Sequence, residues 1–242
     1  MLPMLCLLGL TYIGASVPFG LVVTTLYGDD TDLRSAGSGN IGATNVARVH
    51  GWGLAGPVVA LDMAKGLVPV LLARTLWPEA GLWWPGLIAI TAWVGHCFSI
   101  FLEFRGGKGV ATGAGALLAI VPLPTLGAAA LWTALLAGTG RSSVAALASA
   151  TALVLTCSWL APEALPVVAA LGLGVAATHI PNMRRLIRGE EEQVLRPVRF
   201  SRGATDGPSV EQLLEQGPGG TSAGTAQWRD EPDPLEATDH EG

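Results

Sequence analysis

The chain has 242 residues, of which 50% are hydrophobic and only 14% are charged. Because soluble domains carry roughly 25% charged residues, this composition excludes an ordinary soluble globular protein. The formal charge of -5 belongs to the end of the chain, since 12 of its 19 acidic residues lie from Glu190 onward. The acidic balance therefore does not describe the preceding body, for which we expect membrane lipid and no nucleic acid as partners.

Seven apolar stretches predict transmembrane helices, because crossing the hydrocarbon core takes about 20 mostly apolar residues. They cover roughly residues 2–26, 54–76, 82–101, 109–121, 123–137, 143–161 and 165–181. The fourth and fifth stretches are short and meet at Pro122 and Pro124, so six helices are the alternative. We predict an all-α integral membrane protein with about seven transmembrane helices, the first of them a retained helix and not a cleaved signal peptide.

The distribution of Lys and Arg among the loops predicts the orientation in the membrane. The loops on one side carry Arg34, Arg48, Arg105, Lys108, Arg141 and the basic residues at 184–188, whereas the loops on the other side carry none. This bias places the N-terminus outside and the C-terminus in the cytoplasm. We divide the chain into a membrane domain, residues 1–189, and a disordered acidic cytoplasmic tail, residues 190–242, which is rich in Gly, Pro, Glu and Asp and lacks periodicity.

The first polar segment spans residues 35–45 and is followed by Arg48. Glycines allow backbone N–H groups to converge on an anion, and a guanidinium group matches phosphate geometry. The candidate ligands are Gly37, Ser38, Gly39, Asn40, Gly42, Thr44, Asn45 and Arg48. A turn with a helix cap is the alternative. A nucleotide-binding P-loop is excluded because Ala43 stands where that motif needs Lys.

The second polar segment spans residues 104–112, where Gly106, Gly107 and Gly109 flank Lys108. A positively charged membrane anchor is the alternative, but it would need no glycines, so we favour a ligand for Lys108. His96 lies nearby in sequence and is equally compatible with helix packing.

The third polar segment closes the last apolar stretch, where His179 and Asn182 are three residues apart and share a helix face. Strongly polar residues at this depth are candidates for function. Inside the second stretch, Asp62 and Lys65 have the same spacing, and a buried ion pair is the leading interpretation. Direct phosphate binding by Lys65 is the second.

These residues resemble the PlsY family, the bacterial membrane glycerol-3-phosphate acyltransferases that use acyl-phosphate. The resemblance covers about residues 10–191. It rests on residues 37–45 with Arg48, on 62–66, on 95–96 with 104–112, and on His179, Asn182, Arg185, Leu186, Gly189 and Glu191, while residues 16–20 also fit. The chain departs from the family at Ala15, Ser99 and Thr178, where Gly, Pro and a basic residue are usual.

The resemblance implies seven helices and an acyltransferase that converts acyl-phosphate and glycerol 3-phosphate into 1-acyl-glycerol 3-phosphate and phosphate. It also implies a multi-pass protein of the bacterial inner membrane with its active site facing the cytoplasm. The enzyme that supplies acyl-phosphate is a candidate partner. The phosphate-binding role maps to Ser38, Arg48, Lys108 and His179, and with Asn182 these are the predicted catalytic residues.

The residues themselves favour direct acyl transfer without a metal, a cofactor or an acyl-enzyme, because they contain no convincing Ser-His-Asp set and no metal-ligand spacing. The His-x-x-x-x-Asp pair of many glycerolipid acyltransferases is also absent, since Ala55, Phe101 and Arg184 follow the three body histidines at that spacing. The alternative function is a transporter of a phosphorylated solute, for which glycine-rich half-helices would also be suitable.

Overall fold

The computed structural model describes residues 1–28 and 32–194. Within these residues the chain is helical and contains no strand. The greater part of the predicted tail, residues 195–242, lies outside the described residues. The remaining part, residues 190–194, contacts the helical body and forms hydrogen bonds with it.

Ten α-helices follow one another in the described part of the chain. Their bounds are α1 (Leu2–Ser16), α2 (Phe19–Leu26), α3 (Ala43–His50), α4 (Trp52–Leu76), α5 (Trp83–Cys97), α6 (Val110–Ile120), α7 (Pro122–Thr139), α8 (Ser142–Leu160), α9 (Leu165–Thr178) and α10 (Ile180–Ile187). Single 3-10 turns lie at Pro78–Ala80, Ile100–Leu102 and Pro162–Ala164.

Three described segments are long and apolar enough to cross a membrane alone: Trp52–Leu76, Trp83–Leu102 and Ser142–Leu160. Two further spans arise if α1 with α2, and the segment Pro162–Thr178 with α10, each count as one bent span. These observations agree with the prediction of an all-α membrane protein. The count of seven spans and the orientation of the termini stay predictions.

Two of the breaks between consecutive helices coincide with prolines. Pro18 separates α1 from α2, which are bent by 50°. Pro122 is the first residue of α7, directly after Val121 leaves the helical conformation at the end of α6. Since proline cannot donate the helical hydrogen bond and clashes with the preceding turn, it ends or redirects the helix at each of these points.

Helix α5 lies at the centre of the bundle and packs against α1, α4, α6 and α9. Its buried residues Trp84, Ile88 and Trp93 belong to the larger of two hydrophobic clusters. The smaller cluster joins α2, α3 and α4 beneath the first polar loop and includes Val46 and Val58. The two clusters therefore support the ends of the helices from which the polar segments emerge.

Helices α4 and α6 form the most extensive helix pair. Their backbones are in direct contact, because a Cβ on Gly66 would occupy the position of the Thr112 carbonyl oxygen, and one on Gly115 would occupy that of Met63. Close approach through small residues is a common way for helices to pack in lipid. This contact fixes the start of α6, and hence the loop that precedes it, against α4.

We expect Gly66→Ala to destabilise the protein by roughly 1–3 kcal/mol or to prevent folding, because the added methyl group overpacks the α4–α6 contact. The matched control is Gly56→Ala in the same helix, where an added Cβ would meet no atom within 4 Å. Alanine has the higher helix propensity, so the control variant should be unchanged or slightly more stable. Thermal unfolding of the two proteins in detergent measures the difference, and equal melting temperatures would contradict the packing argument.

Candidate anion-binding site

The three polar segments meet at one end of a cavity of about 530 Å³. Its polar lining comes from the loop before α3, the loop before α6, and the region around α10. Arg48, Lys108 and Asn182 all belong to this lining, although they are far apart in sequence. The predicted residues in the lining are Gly37, Ser38, Asn40, Gly42, Thr44, Asn45, Arg48, Lys108, Gly109, His179 and Asn182.

Asn45, near the start of α3, holds the first polar loop in shape. Its buried side-chain amide donates hydrogen bonds to the carbonyl oxygens of Leu33 and Ala36, both at 3.0 Å. Its Oδ1 accepts hydrogen bonds from the Ser38 N–H at 2.8 Å and from Arg48 Nη1 at 3.4 Å. All four hydrogen-bonding positions of the amide are thus used within the protein. The predicted role in substrate binding is therefore better assigned to positioning Ser38 and Arg48.

Arg48 lies one turn after Asn45 on α3 and is partly buried, with 19% of its side chain exposed. Its Nε is 3.5 Å from a carboxylate oxygen of Glu192, whose side chain is 63% exposed. The guanidinium group is the feature of this loop that best matches a phosphate, because it offers several N–H donors in a fixed plane. In this structure it is paired with a carboxylate from the far end of the body.

The loop that carries Lys108 lies directly on α5 because its glycines have no side chains. Gly107 donates its N–H to the His96 carbonyl oxygen at 3.0 Å, and a Cβ on Gly107 would overlap the His96 ring. Gly109 has a φ of +73°, and a Cβ there would overlap the Trp93 indole. The Thr178 hydroxyl is 3.1 Å from the Lys108 carbonyl oxygen, to which it donates from the end of α9.

The ammonium group of Lys108 is largely withdrawn from water. Burial lowers the pKa of Lys108 to about 8, Arg185 and Arg48 act in the same direction, and Glu191 opposes them. Among the described residues, no carboxylate forms an ion pair with this group. A buried cation with neighbouring cations and no paired carboxylate is suited to binding an added anion.

His179 and Asn182 are both buried and project from the junction of α9 and α10. His179 Nδ1 lies 2.8 Å from the Val175 carbonyl oxygen, so this nitrogen carries a proton and Nε2 is the ring nitrogen left for a ligand. The Asn182 amide donates to Glu191 Oε1 at 2.6 Å, whereas its buried Oδ1 has no hydrogen-bond partner in the described part of the chain. Asn182 therefore offers an acceptor to the cavity.

Glu191 is a residue of this site that the sequence-based prediction did not include, although it contributed to the family resemblance. Its carboxylate accepts hydrogen bonds from Asn182 and from Arg185 Nε, the latter at 2.8 Å, and only 8% of its side chain is exposed. Burial alone would raise the pKa of Glu191, but hydrogen bonds from Asn182, Ser143 and Arg185, together with the charge of Arg185, outweigh burial and lower it. Glu191 thus fixes the orientation of the Asn182 amide.

Four predicted substrate-binding residues do not line the cavity: Gly39, Lys65, Gly106 and Gly107. The N–H groups of the three glycines donate to the carbonyl oxygens of Ala36, Cys97 and His96, respectively, which leaves them none for a ligand. These contacts favour a role for the three glycines in shaping the loops, and their binding of substrate stays a prediction.

Lys65 is held in a buried polar cluster between α4 and α5. Its ammonium is 2.8 Å from an Asp62 carboxylate oxygen and 3.1 Å from the Val17 carbonyl oxygen. The same Asp62 oxygen is 3.6 Å from His96 Nδ1. Asp62 and His96 reach the cavity lining, whereas Lys65 does not. The ion-pair interpretation thus agrees with the geometry, and direct phosphate binding by Lys65 does not.

Two residues that depart from the family pattern make specific contacts. Ser99 is buried and donates a hydrogen bond to the Ser16 carbonyl oxygen at 2.6 Å, which joins the end of α5 to the break after α1. Thr178, as described above, binds the Lys108 loop. Both substitutions are therefore accommodated by hydrogen bonds to the backbone.

The rest of the cavity continues between helices α6, α7, α8 and α9 and has a mostly apolar lining. Its residues there include Leu117, Trp132, Leu153, Val168 and Leu171. Along α8 the lining runs from Ser142 to Leu153, which corresponds to roughly 16 Å at a rise of 1.5 Å per residue. One cavity thus joins a cationic end to an apolar channel. The fold and the site together define a helical membrane protein suited to a ligand with a phosphate and a hydrocarbon chain.

Comparison with known proteins gives the same class. Residues 5–189 match the family model described as glycerol-3-phosphate acyltransferase. The proteins named glycerol-3-phosphate acyltransferase from Rubrobacter xylanophilus and Solidesulfovibrio magneticus are each 44% identical to this chain. The matches cover 78% and 76% of this chain and 94% and 91% of those proteins.

Two crystal structures of PlsY, an integral membrane glycerol 3-phosphate acyltransferase, share this fold. They are its glycerol 3-phosphate form and its lysophosphatidic acid form, with TM-scores of 0.73 and 0.72. Each is 30% identical to this chain, and each match covers 79% of this chain and 95% of that structure. The chain belongs to the glycerol-3-phosphate acyltransferase family. It is thus a membrane acyltransferase of phospholipid biosynthesis.

The pKa of Lys108 predicts a pH dependence of anion binding. Lys108 is protonated below about pH 8, and a bound phosphate stabilises the ammonium, so affinity for inorganic phosphate should fall as the pH rises from 8 to 10. Losing one charged hydrogen bond costs roughly 1.5–3 kcal/mol, which corresponds to about ten- to hundredfold weaker binding. Calorimetric titration across this range measures the effect.

The Lys108→Arg variant is the control, because a guanidinium group stays charged throughout this pH range. Its affinity for phosphate should change little between pH 8 and 10. A decline of the same size in both proteins would show that a group other than Lys108 titrates.

Proposed function

We propose that this protein transfers a fatty acyl group from acyl-phosphate to the sn-1 hydroxyl of glycerol 3-phosphate, giving lysophosphatidic acid and inorganic phosphate. The observation that carries the proposal is the single cavity with Arg48 and Lys108 at one end and an apolar channel at the other. Its polar end suits the phosphates, and the channel suits the acyl chain. The family membership and the ligand forms of the two PlsY structures support the acceptor and the product.

The choice of acyl-phosphate as donor rests on the number of cationic loops. Both proposed substrates carry a phosphate, and one product is phosphate. Two separate glycine-rich loops line the same cavity end, one followed by Arg48 on α3 and the other bearing Lys108. Two substrate phosphates match these two cations, whereas a donor without a phosphate at the reacting carbonyl would give one of them no substrate anion to bind.

The proposed roles follow from the contacts. Arg48 and Lys108 bind phosphate charge, and Ser38, whose N–H donates to Asn45, presents its hydroxyl to the same anion. Gly37, Asn40, Gly42, Thr44 and Gly109 complete this polar wall. His179, protonated on Nδ1, accepts a hydrogen bond from a substrate hydroxyl through Nε2, and Asn182 accepts one from the acceptor substrate through Oδ1, because its amide group donates to Glu191.

The proposed reaction is a direct transfer. The primary hydroxyl oxygen of glycerol 3-phosphate attacks the acyl carbonyl carbon, the carbon–oxygen bond to the donor phosphate breaks, and phosphate leaves with the electron pair. A substrate phosphate oxygen takes the hydroxyl proton. Phosphate is a good leaving group, so positioning and stabilisation of the oxyanion by fixed donors can supply most of the acceleration.

The polar end of the cavity faces the cytoplasm in this proposal, and the protein lies in the bacterial inner membrane. Support comes from the cations of the loops at this end, because Lys and Arg in short loops favour the cytoplasmic side. An enzyme that forms acyl-phosphate in the cytoplasm is then the natural partner. The acyl chain reaches the channel between α6, α7, α8 and α9 from the bilayer.

We expect the purified protein in detergent to release phosphate when it receives acyl-phosphate and glycerol 3-phosphate in metal-free buffer. Lys108→Ala and Arg48→Ala should each lower kcat/KM by about ten- to hundredfold, because each removes a charged contact to phosphate worth roughly 1.5–3 kcal/mol. Phosphate release followed over time measures both rates. A transporter would release none.

The matched controls are Arg105→Ala and Arg34→Ala. Arg105 lies in the loop that carries Lys108, and Arg34 lies just before the first polar segment, residues 35–45. Both side chains are exposed and outside the cavity lining. These variants should retain near-normal rates. Near-normal turnover by Lys108→Ala would refute the assigned role, and a strict requirement for added metal would contradict the mechanism.

Direct transfer predicts that no acyl-enzyme accumulates. In the absence of glycerol 3-phosphate, acyl-phosphate should produce no burst of phosphate, and mass spectrometry of the intact protein should show no added acyl mass. The reason is that the acceptor hydroxyl, and not a protein side chain, is the nucleophile. A stoichiometric burst with a matching acyl adduct would instead establish a covalent intermediate.

A further inference from the structure

Residues 190–194, which we call the strap, cross the polar end of the cavity. At its start, the Glu190 N–H donates a hydrogen bond to the Arg185 carbonyl oxygen at 2.8 Å. At its end, the Val194 N–H donates to the Gly140 carbonyl oxygen at 2.7 Å. The strap is therefore attached to α10 on one side and to the turn between α7 and α8 on the other.

The strap is also fixed by its side chains and by a cation. The buried Glu191 carboxylate accepts hydrogen bonds from α10, and Arg141 Nε donates to the Glu191 carbonyl oxygen at 3.3 Å. Val194 packs against the smaller hydrophobic cluster formed by α2, α3 and α4. Glu192 thus lies between two anchored residues, which limits the positions that its side chain can take.

In this position Glu192 forms the ion pair with Arg48 described above, at 3.5 Å. Glu192 belongs to the cavity lining, and so does Arg48. The guanidinium group also donates to Asn45 Oδ1, so part of its hydrogen-bonding capacity is already used for holding the loop. A phosphate that approaches Arg48 must share the remaining donors with the Glu192 carboxylate or displace it.

We propose that Glu192 sets the affinity of this site for phosphate, because its carboxylate competes with the substrate phosphate for Arg48. The proposal rests on the proposed function, since it assigns Arg48 to phosphate binding. Carboxylate and phosphate are interchangeable partners for a guanidinium group, and each binds it through two oxygens. Removing the carboxylate therefore makes Arg48 available and strengthens phosphate binding.

The size of the effect follows from the exposure of Glu192. Its side chain is 63% exposed, so water weakens the ion pair. Exposed pairs of this kind change an equilibrium by about two- to fivefold. The competition acts on binding only, since Glu192 is displaced once the phosphate is bound. KM should thus change while kcat does not.

The test compares the full-length wild type with Glu192→Gln, which keeps the size of the side chain and removes its charge. Calorimetric titration with inorganic phosphate should give a dissociation constant about two- to fivefold lower for Glu192→Gln. With both substrates supplied, KM should fall by the same factor for the one substrate whose phosphate binds Arg48. The value of kcat should stay the same.

The matched control is Glu190→Gln, which removes the same charge from the same strap. The Glu190 side chain lines the same cavity and is exposed, but it forms no ion pair with another described residue. This variant should bind phosphate as the wild type does. An equal gain in both variants would show a general effect of net charge, and unchanged or weaker binding by Glu192→Gln would show that the carboxylate does not compete. Either result overturns the proposal.

The two readouts separate this proposal from the proposed function. If the wild type releases no phosphate from acyl-phosphate but Glu192→Gln still binds inorganic phosphate more tightly, the assigned reaction fails and the role of Glu192 stands. If turnover is normal and the two dissociation constants are equal, the reaction stands and the role of Glu192 fails. Glu192→Ser provides a second neutral variant, and melting temperatures confirm that both variants fold.

Discussion

The site depends on the direct contact between the Lys108 loop and helix α5. Gly107 and Gly109 lie where a side chain would overlap His96 and Trp93, so the loop backbone rests on the helix itself. This contact holds the Lys108 ammonium in a largely buried position, where burial lowers its pKa. A cation in such a place binds an anion strongly because little water competes, and it is costly when it has no partner.

The same contact places the cation at the boundary between two environments. On one side lie the loop of Asn45 and Arg48 and the junction of α9 with α10, all of which offer polar groups. On the other side the cavity continues between apolar helices that need no polar group because lipid surrounds them. A phosphate needs polar partners, whereas a hydrocarbon chain needs apolar ones. Both kinds of partner are available where the two linings meet. The carbonyl that joins the two parts of an acyl-phosphate would lie at this junction.

The acidic residues after α10 contact the polar residues that line the site. Glu191 is buried and orients Asn182, whereas Glu192 is exposed and pairs with Arg48. Their different surroundings explain how two adjacent glutamates have separate roles: the buried one is a permanent part of the structure, and the exposed one exchanges readily with another anion. The negative charge of this segment therefore belongs to the site as well as to the tail.

Much of the fold and part of the site follow from sequence alone, because they depend on local chemistry. Apolar runs determined the positions of the long helices, Pro122 marked one break, and glycine-rich segments with Arg48 and Lys108 identified the loops that we propose to bind anions. The break at Pro18, inside the stretch 2–26 that was predicted as one span, appeared only in the structure. Only the tertiary structure decided whether the N–H of each glycine faces the cavity or a carbonyl oxygen of the protein. Gly39, Gly106 and Gly107 were predicted to bind substrate, but their N–H groups bind the protein's own carbonyl oxygens. A sequence shows that a backbone group can turn toward a ligand, but only the folded chain shows which acceptor it meets. The same reason explains Glu191 and Glu192, whose partners on α10 and α3 are brought to them by the packing of helices.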